Sequence, residues 1–206
     1  MQLYSMPATC AVGVHIALEW SQLPYSVEVL RPGEQRRARY LALNPMAVVP
    51  TLALDDGEVL SEASAILCYI DDLAPDRFAP GPSPKDKARL RQSLSFLSCE
   101  LHPAFRCHFR PSMLHPEQSE HKTLRVMART RIERLLTLME ARLQAPYLFG
   151  ERRSVADAYL FSMLSWLERT RIDPKSFSKL REFVDRMADD PRVQRVLENY
   201  DTGKRK

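Results

Sequence analysis

The chain is 206 residues long with a formal charge of +4, from 30 basic and 26 acidic side chains. That length fits one large domain or two small ones, and charges scattered along helical stretches read as solvated faces rather than a nucleic-acid surface. No run reaches the ~20 apolar residues of a membrane span, and Met1-Gln2-Leu3-Tyr4 lacks the parts of a secretory leader. The expectation is a cytoplasmic protein without nucleic-acid or membrane partners. Cys10, Cys68, Cys99 and Cys107 are irregularly spaced, which suits reduced thiols.

Leu3-Tyr4 reads as a short strand, and Cys10 to Trp20 as a helix with Val12, Ile16 and Leu18 among its apolar positions. Tyr25 to Leu30 alternates like a second strand. Pro32-Gly33 marks a loop before a short helix ending near Tyr40. Thr51 to Leu54 and Val59-Leu60 form a hairpin about Asp55-Asp56-Gly57. A third helix runs to about Leu73. The order βαβ then αββα implies a parallel pair followed by an antiparallel one.

Asp76 to Pro84 is a proline-rich linker. Beyond it, helical periodicity covers Asp86 to Phe109, Glu117 to Ala145 and Val155 to Leu167, with shorter helices over Phe177 to Ala188 and Val193 to Tyr200. Lys204-Arg205-Lys206 reads as a disordered tail. The expected fold is α+β in two domains. Residues 1–76 form a thioredoxin-like α/β domain, and residues 85–206 form an all-α domain.

The stretch from Asn44 to Ile66 carries the clearest chemistry. With Pro50 cis, the Val49 backbone turns outward and pairs with an extended ligand like an added strand. The N–H groups of Ala63 and Ser64 open the next helix and suit a carboxylate. Glu62 beside them suits an ammonium group. A ligand with a peptide backbone, a carboxylate and an amino group matches these features.

This stretch resembles the glutathione-binding half of the glutathione S-transferases. The start LYSMPATCAVGVHIALE is similar to the first strand, loop and helix of the bacterial beta class. Ser61-Glu62-Ala63-Ser64-Ala65-Ile66 matches that family's S/T-E-S/G-x-A-I segment, and GERRSVADAYLF resembles its capping motif. The resemblance implies transfer of the glutathione thiolate to a hydrophobic electrophile, in the manner of a detoxification enzyme. It implies glutathione as co-substrate, no cofactor, and a homodimer. It also implies side activities in thiol exchange or peroxide reduction. Relatives of this fold also serve as regulators or scaffolds without transferase activity, because fold does not fix function.

Cys10 stands where the beta class carries its cysteine. A thiol at a helix start feels a dipole that favours the thiolate; the other reading is a small buried residue. Beta-class chains carry tyrosine where this chain has Ser5, and Ser5 is a candidate hydrogen-bond donor to sulfur in its stead. Tyr4 faces the other way and belongs to the core. Val48 replaces a residue whose side chain often supplies a hydrogen bond.

Ser95, Cys99 and His102 are spaced to share one face of a regular helix. ELHPAF resembles the beta-class segment whose histidine points at the active-site sulfur, which makes His102 a candidate base or thiol partner; otherwise it is a core histidine at a kink before Pro103. Ser95 and Cys99 fall where the family reaches the glutathione of a neighbouring subunit. Cys99, His102, Cys107 and His108 lack finger spacing, so no metal site is expected. Ser154 and Asp157 form a capping box, a folding device without an apolar staple because Arg153 precedes it. Tyr159 and Trp166 read as core.

Overall fold

The computed structural model describes residues 1–143 and 146–201. Ala145, the expected end of the longest helix, and the tail Lys204-Arg205-Lys206 lie outside the described residues. Four strands, β1 (Gln2–Ser5), β2 (Ser26–Val29), β3 (Thr51–Ala53) and β4 (Val59–Ser61), form one sheet in the order β2-β1-β3-β4. β1 runs parallel to β2 and antiparallel to β3, and β3 pairs antiparallel with β4. Strand alternation sends Leu3 into the main core and Tyr4 to the opposite face, where its ring meets Tyr40 at 5.7 Å.

α1 (Ala11–Ser21) crosses from β1 to β2 and is buried on nearly every side. A helix apolar all round needs cover on both flanks. It packs against the sheet, α3 (Ala63–Leu73), α7 (Val155–Leu164) and α9 (Pro191–Glu198). A Cβ on Gly13 would stand 2.7 Å from the Ala158 carbonyl oxygen, so α1 and α7 cross backbone against backbone. Between β2 and β3 the chain forms a 3-10 turn at Glu34–Arg36 and the short helix α2 (Ala38–Leu41). A thioredoxin-like layer is thus followed by a helical part whose described residues add only an isolated bridge between Tyr147 and Gly150, as the sequence implies. Among the described residues no helix is long and apolar enough to cross a membrane.

The helix expected over Asp86 to Phe109 is not regular. It comprises α4 (Pro84–Phe96), a π turn at Leu97–Leu101, and α5 (His102–Phe109). Pro103 has no N–H, and in a regular helix its ring would collide with the carbonyl of Cys99. The chain answers by widening one turn, so that the His102 N–H reaches the Leu97 carbonyl. α6 (His121–Arg142) returns antiparallel, and α8 (Ser178–Asp189) precedes α9.

The capping box forms as read. Ser154 Oγ accepts from the Asp157 N–H at 3.3 Å and Asp157 Oδ2 accepts from the Ser154 N–H at 2.7 Å. Asp157 also accepts from the Leu148 N–H, and its burial pushes the carboxyl up to about 6. Arg153 stacks over Trp20 at 4.7 Å and pairs with Asp190, which also accepts from Trp20 Nε1. Asp190 caps α9 as well, so one carboxylate joins α1, α7 and α9.

Candidate active site

The Val49-Pro50 bond is cis. The loop that carries it is braced from beneath: the Val48 carbonyl accepts from Tyr40 Oη at 2.6 Å and from Asn44 Nδ2 at 3.1 Å. Thr51 Oγ1 ties Tyr40 and Asn44 together. These side chains are buried and mutually satisfied, so the loop is preorganised. Ala47 has φ 54, a left-handed conformation that suits glycine.

Cys10 sits just before α1, only 6% exposed, with Sγ 3.9 Å from the Val49 carbonyl oxygen. Burial pushes its thiol up to about 12, and the charge of Glu62 adds to the rise. This corrects the expectation of a dipole-stabilised thiolate. Thr9 takes the free amides, accepting from the Ala11 N–H through Oγ1 and from the Val12 N–H through its carbonyl. A helix terminus supplies about 0.3–1 kcal/mol, whereas one pKa unit already represents about 1.4 kcal/mol, so desolvation prevails. The resting thiol is protonated.

Glu62 stands at the start of α3 with φ 67 and ψ 114, a strained conformation for a residue with a side chain. Such strain costs about 1–3 kcal/mol and gathers at ligand clamps. Its carboxylate is exposed and has no ion-pair partner among the described residues. Ala63 is buried and Ser64 half-buried at the amide end of the same helix.

His102 approaches from the other side. Its Nδ1 lies 3.2 Å from Tyr159 Oη, and its ring packs on Trp166 at 5.2 Å. Burial, aided by Arg106, lowers the imidazole to about 4, so it is neutral near neutral pH. Tyr159 is 2% exposed, and its hydroxyl lies within electrostatic reach of Cys10, Glu62 and Cys99. The sequence places Tyr159 in the core; its ring is there, and its hydroxyl bonds His102. The available signal was the phenol itself, since a buried tyrosine hydroxyl needs a partner.

Two sequence expectations require correction. Ser5 is fully buried, and its Oγ meets Tyr200 Oη at 2.7 Å. Tyr200 Oη in turn lies 2.8 Å from His15 Nδ1. Ser5 is engaged in the fold rather than free as the sequence reading requires. Ser95, Cys99 and His102 do not keep the regular helical register either. The π turn leaves Ser95 and Cys99 exposed while His102 turns inward.

With this geometry in view, the similarities are specific. Residues 9–73 match the family model for the glutathione S-transferase N-terminal domain, and residues 96–191 match that for the C-terminal domain. The chain belongs to the glutathione S-transferase family. It is 34% identical over 200 residues to glutathione S-transferase GST-4.5 of Xanthomonas campestris pv. campestris, covering 96% of this chain and 98% of that one. A bacterial beta class glutathione S-transferase from Sphingomonas chungbukensis superposes with a TM-score of 0.85 at 32% identity, covering 98% and 99% of the two chains. A sphingomonad glutathione S-transferase solved with glutathione gives 0.86 at 30% identity, covering 97% and 98%.

Proposed function

We infer that the protein is a glutathione transferase that joins the glutathione thiolate to a hydrophobic electrophile in the cytoplasm. The observation that carries this reading is the braced cis Val49-Pro50 loop facing Cys10 and the free carboxylate of Glu62. Glutathione pairs its peptide backbone with Val49 and packs against Pro50. Its amino group meets Glu62, and a carboxylate meets the amides of Ala63 and Ser64. The sulfur then lies at Cys10, with His102 on the opposite wall. Residues 1–76 act as the glutathione-binding domain, and residues 85–206 carry the electrophile pocket and part of a dimer interface.

A neutral resting site suits this chemistry. Cys10 and His102 are both uncharged near neutral pH. Activation rests on hydrogen bonds that strengthen as charge gathers on the ligand sulfur, not on a standing thiolate. Attack on a glutathione disulfide by Cys10 gives a Cys10–glutathione mixed disulfide and releases one glutathione thiol. That is the route for thiol exchange.

The working form is a two-fold homodimer. Met46, at 76% exposure, and Val48, at 45%, project from the loop, while Val126 and Met127 are exposed on α6. Such apolar residues suit an interface, and closed two-fold dimers are the commonest assembly. Ser95 and Cys99 then meet the partner's glutathione. Retention on immobilised glutathione, followed by conjugation to an activated aromatic halide, tests the reading: both are expected. A folded protein that neither binds nor conjugates overturns it. Sedimentation showing only ~24 kDa species at micromolar concentration overturns the dimer and, with it, the roles of Ser95 and Cys99.

A further inference from the structure

The sulfur site has an unfilled position. The strand that supplies tyrosine in the resembling family supplies Ser5 here, and Ser5 is turned into the fold and bonded to Tyr200. A hydroxyl does face the site, but from α7, where Tyr159 stands against His102 with Cys10, Glu62 and Cys99 within electrostatic reach. We propose that the hydroxyl of Tyr159, held by the imidazole of His102, is the hydrogen-bond donor to the glutathione sulfur. The inference rests on the glutathione-transferase reading above.

Three observations bear on it. First, His102 is the one hydrogen-bond partner of the Tyr159 hydroxyl among the described residues. A phenol both donates and accepts, so one direction of bonding is open. Second, the chain holds a comparison case. Tyr200 is bonded by His15 in the same manner, but Ser5 fills its second direction and closes the set. In the Tyr159 pair nothing takes Ser5's place. Third, the imidazole is neutral and its Nδ1 is the atom facing the phenol. With the proton on Nδ1, His102 donates to Tyr159 Oη and leaves the phenol proton free to point away from it. The groups ahead are Cys10 before α1, Glu62 at the start of α3 and Cys99 in the π turn. Burial holds the phenol protonated, so it acts as a donor and not as a base.

The roles therefore divide. Tyr159 touches the substrate sulfur. His102 is a positioning residue that acts through Tyr159, which explains how a histidine lowered to about 4 contributes near neutral pH without accepting a proton. The arrangement also makes sense of the π turn. By widening the helix ahead of Pro103 it turns His102 inward toward Tyr159 and Trp166.

The test is the titration of glutathione bound to the protein, followed by thiolate absorbance in the ultraviolet. Tyr159→Phe keeps the ring and is expected to raise the apparent pKa of the bound thiol by about one, a tenfold loss of thiolate at a given pH. kcat should fall in proportion, with KM for glutathione within twofold. Ser5→Ala should leave the titration unmoved. His102→Leu should raise it by less than Tyr159→Phe, because the donor remains but is no longer held. An unmoved titration in folded Tyr159→Phe, or an equal rise in Ser5→Ala, overturns the proposal while wild-type binding keeps the transferase reading intact. If Tyr159→Phe does not fold, an unmoved titration in His102→Leu overturns it. A wild-type protein that binds no glutathione overturns both.

Discussion

Two histidines in this chain, His15 buried and His102 half-buried, make the same bond and end in different places. His15 on α1 holds Tyr200 through Nδ1 at 2.8 Å; His102 on α5 holds Tyr159 through Nδ1 at 3.2 Å. Burial keeps both imidazoles neutral, each lowered to about 4. The difference is the third member. Ser5 completes the first set, which joins β1 and α1 to the segment after α9. The second set opens toward Cys10 and Glu62. A polar network with every direction filled belongs to the fold, and one with a direction left over is available to a ligand.

Gly13→Ala should strike both sets hardest, since its methyl would meet the Ala158 carbonyl and the Tyr159 Cα. α1 and α7 must separate, at a cost of about 3 kcal/mol, read from the urea midpoint, and both stability and conjugation should fall. Tyr200→Phe should divide the sets. It removes one hydroxyl and leaves Ser5 Oγ and His15 Nδ1 without it, which costs about 2 kcal/mol of stability. The thiol titration of bound glutathione should stay put; a shift there would show that the closed set also serves catalysis. Glu62→Ala should weaken glutathione by about 1.5 kcal/mol in calorimetry through loss of a charge-assisted contact, with the fold intact. Unchanged affinity would remove Glu62 from the open set's ligand.

Much of this was legible in the sequence, and the reasons are local. The strands, the hairpin at Asp55-Asp56-Gly57 and the capping box at Ser154 depend on neighbours within a few residues. The cis-proline loop was legible because Val-Pro before a short strand restricts the backbone. What escaped was non-local or broke the helical period. Ser5 looked like a free hydroxyl because its partner lies 195 residues away. His102 looked aligned with Ser95 and Cys99 because the spacing assumed regular turns, and the π turn before Pro103 breaks that register. The Cys10 thiol was misjudged because burial, set by packing from several elements, outweighs a terminus already satisfied by Thr9.

The two imidazoles share one further test. Each is about 4 when folded against an ordinary 6.5, while Asp157 is about 6 against 3.8. Between about pH 6 and 4, unfolding lets two histidines take up protons and lets Asp157 release one. For these three groups the balance is one proton taken up, so their joint contribution to stability should fall with acidification by about 1.4 kcal/mol per pH unit. His15→Leu removes one imidazole, and the slope of the urea midpoint against pH should flatten. The smallest expected effect lies in the loop opposite the open set. Ala47→Gly relieves a left-handed alanine worth about 1–2 kcal/mol and returns about 0.4–1 of it to the unfolded chain's freedom. A modest rise in melting temperature should follow, with glutathione binding unchanged.

The clamp of Asp190 and Tyr200 on α1 has a consequence for synthesis. α1 leaves the ribosome well ahead of α7 and α9, two of the elements that cover it. Until residues 190–200 emerge, Trp20 lacks the carboxylate its indole needs and His15 lacks its phenol. Until then the nascent α1 has the sheet and α3 against it but not its full cover. A chain cut short before Asp190 would leave α1 without the cover of α9, a surface that chaperones and proteases read as unfinished.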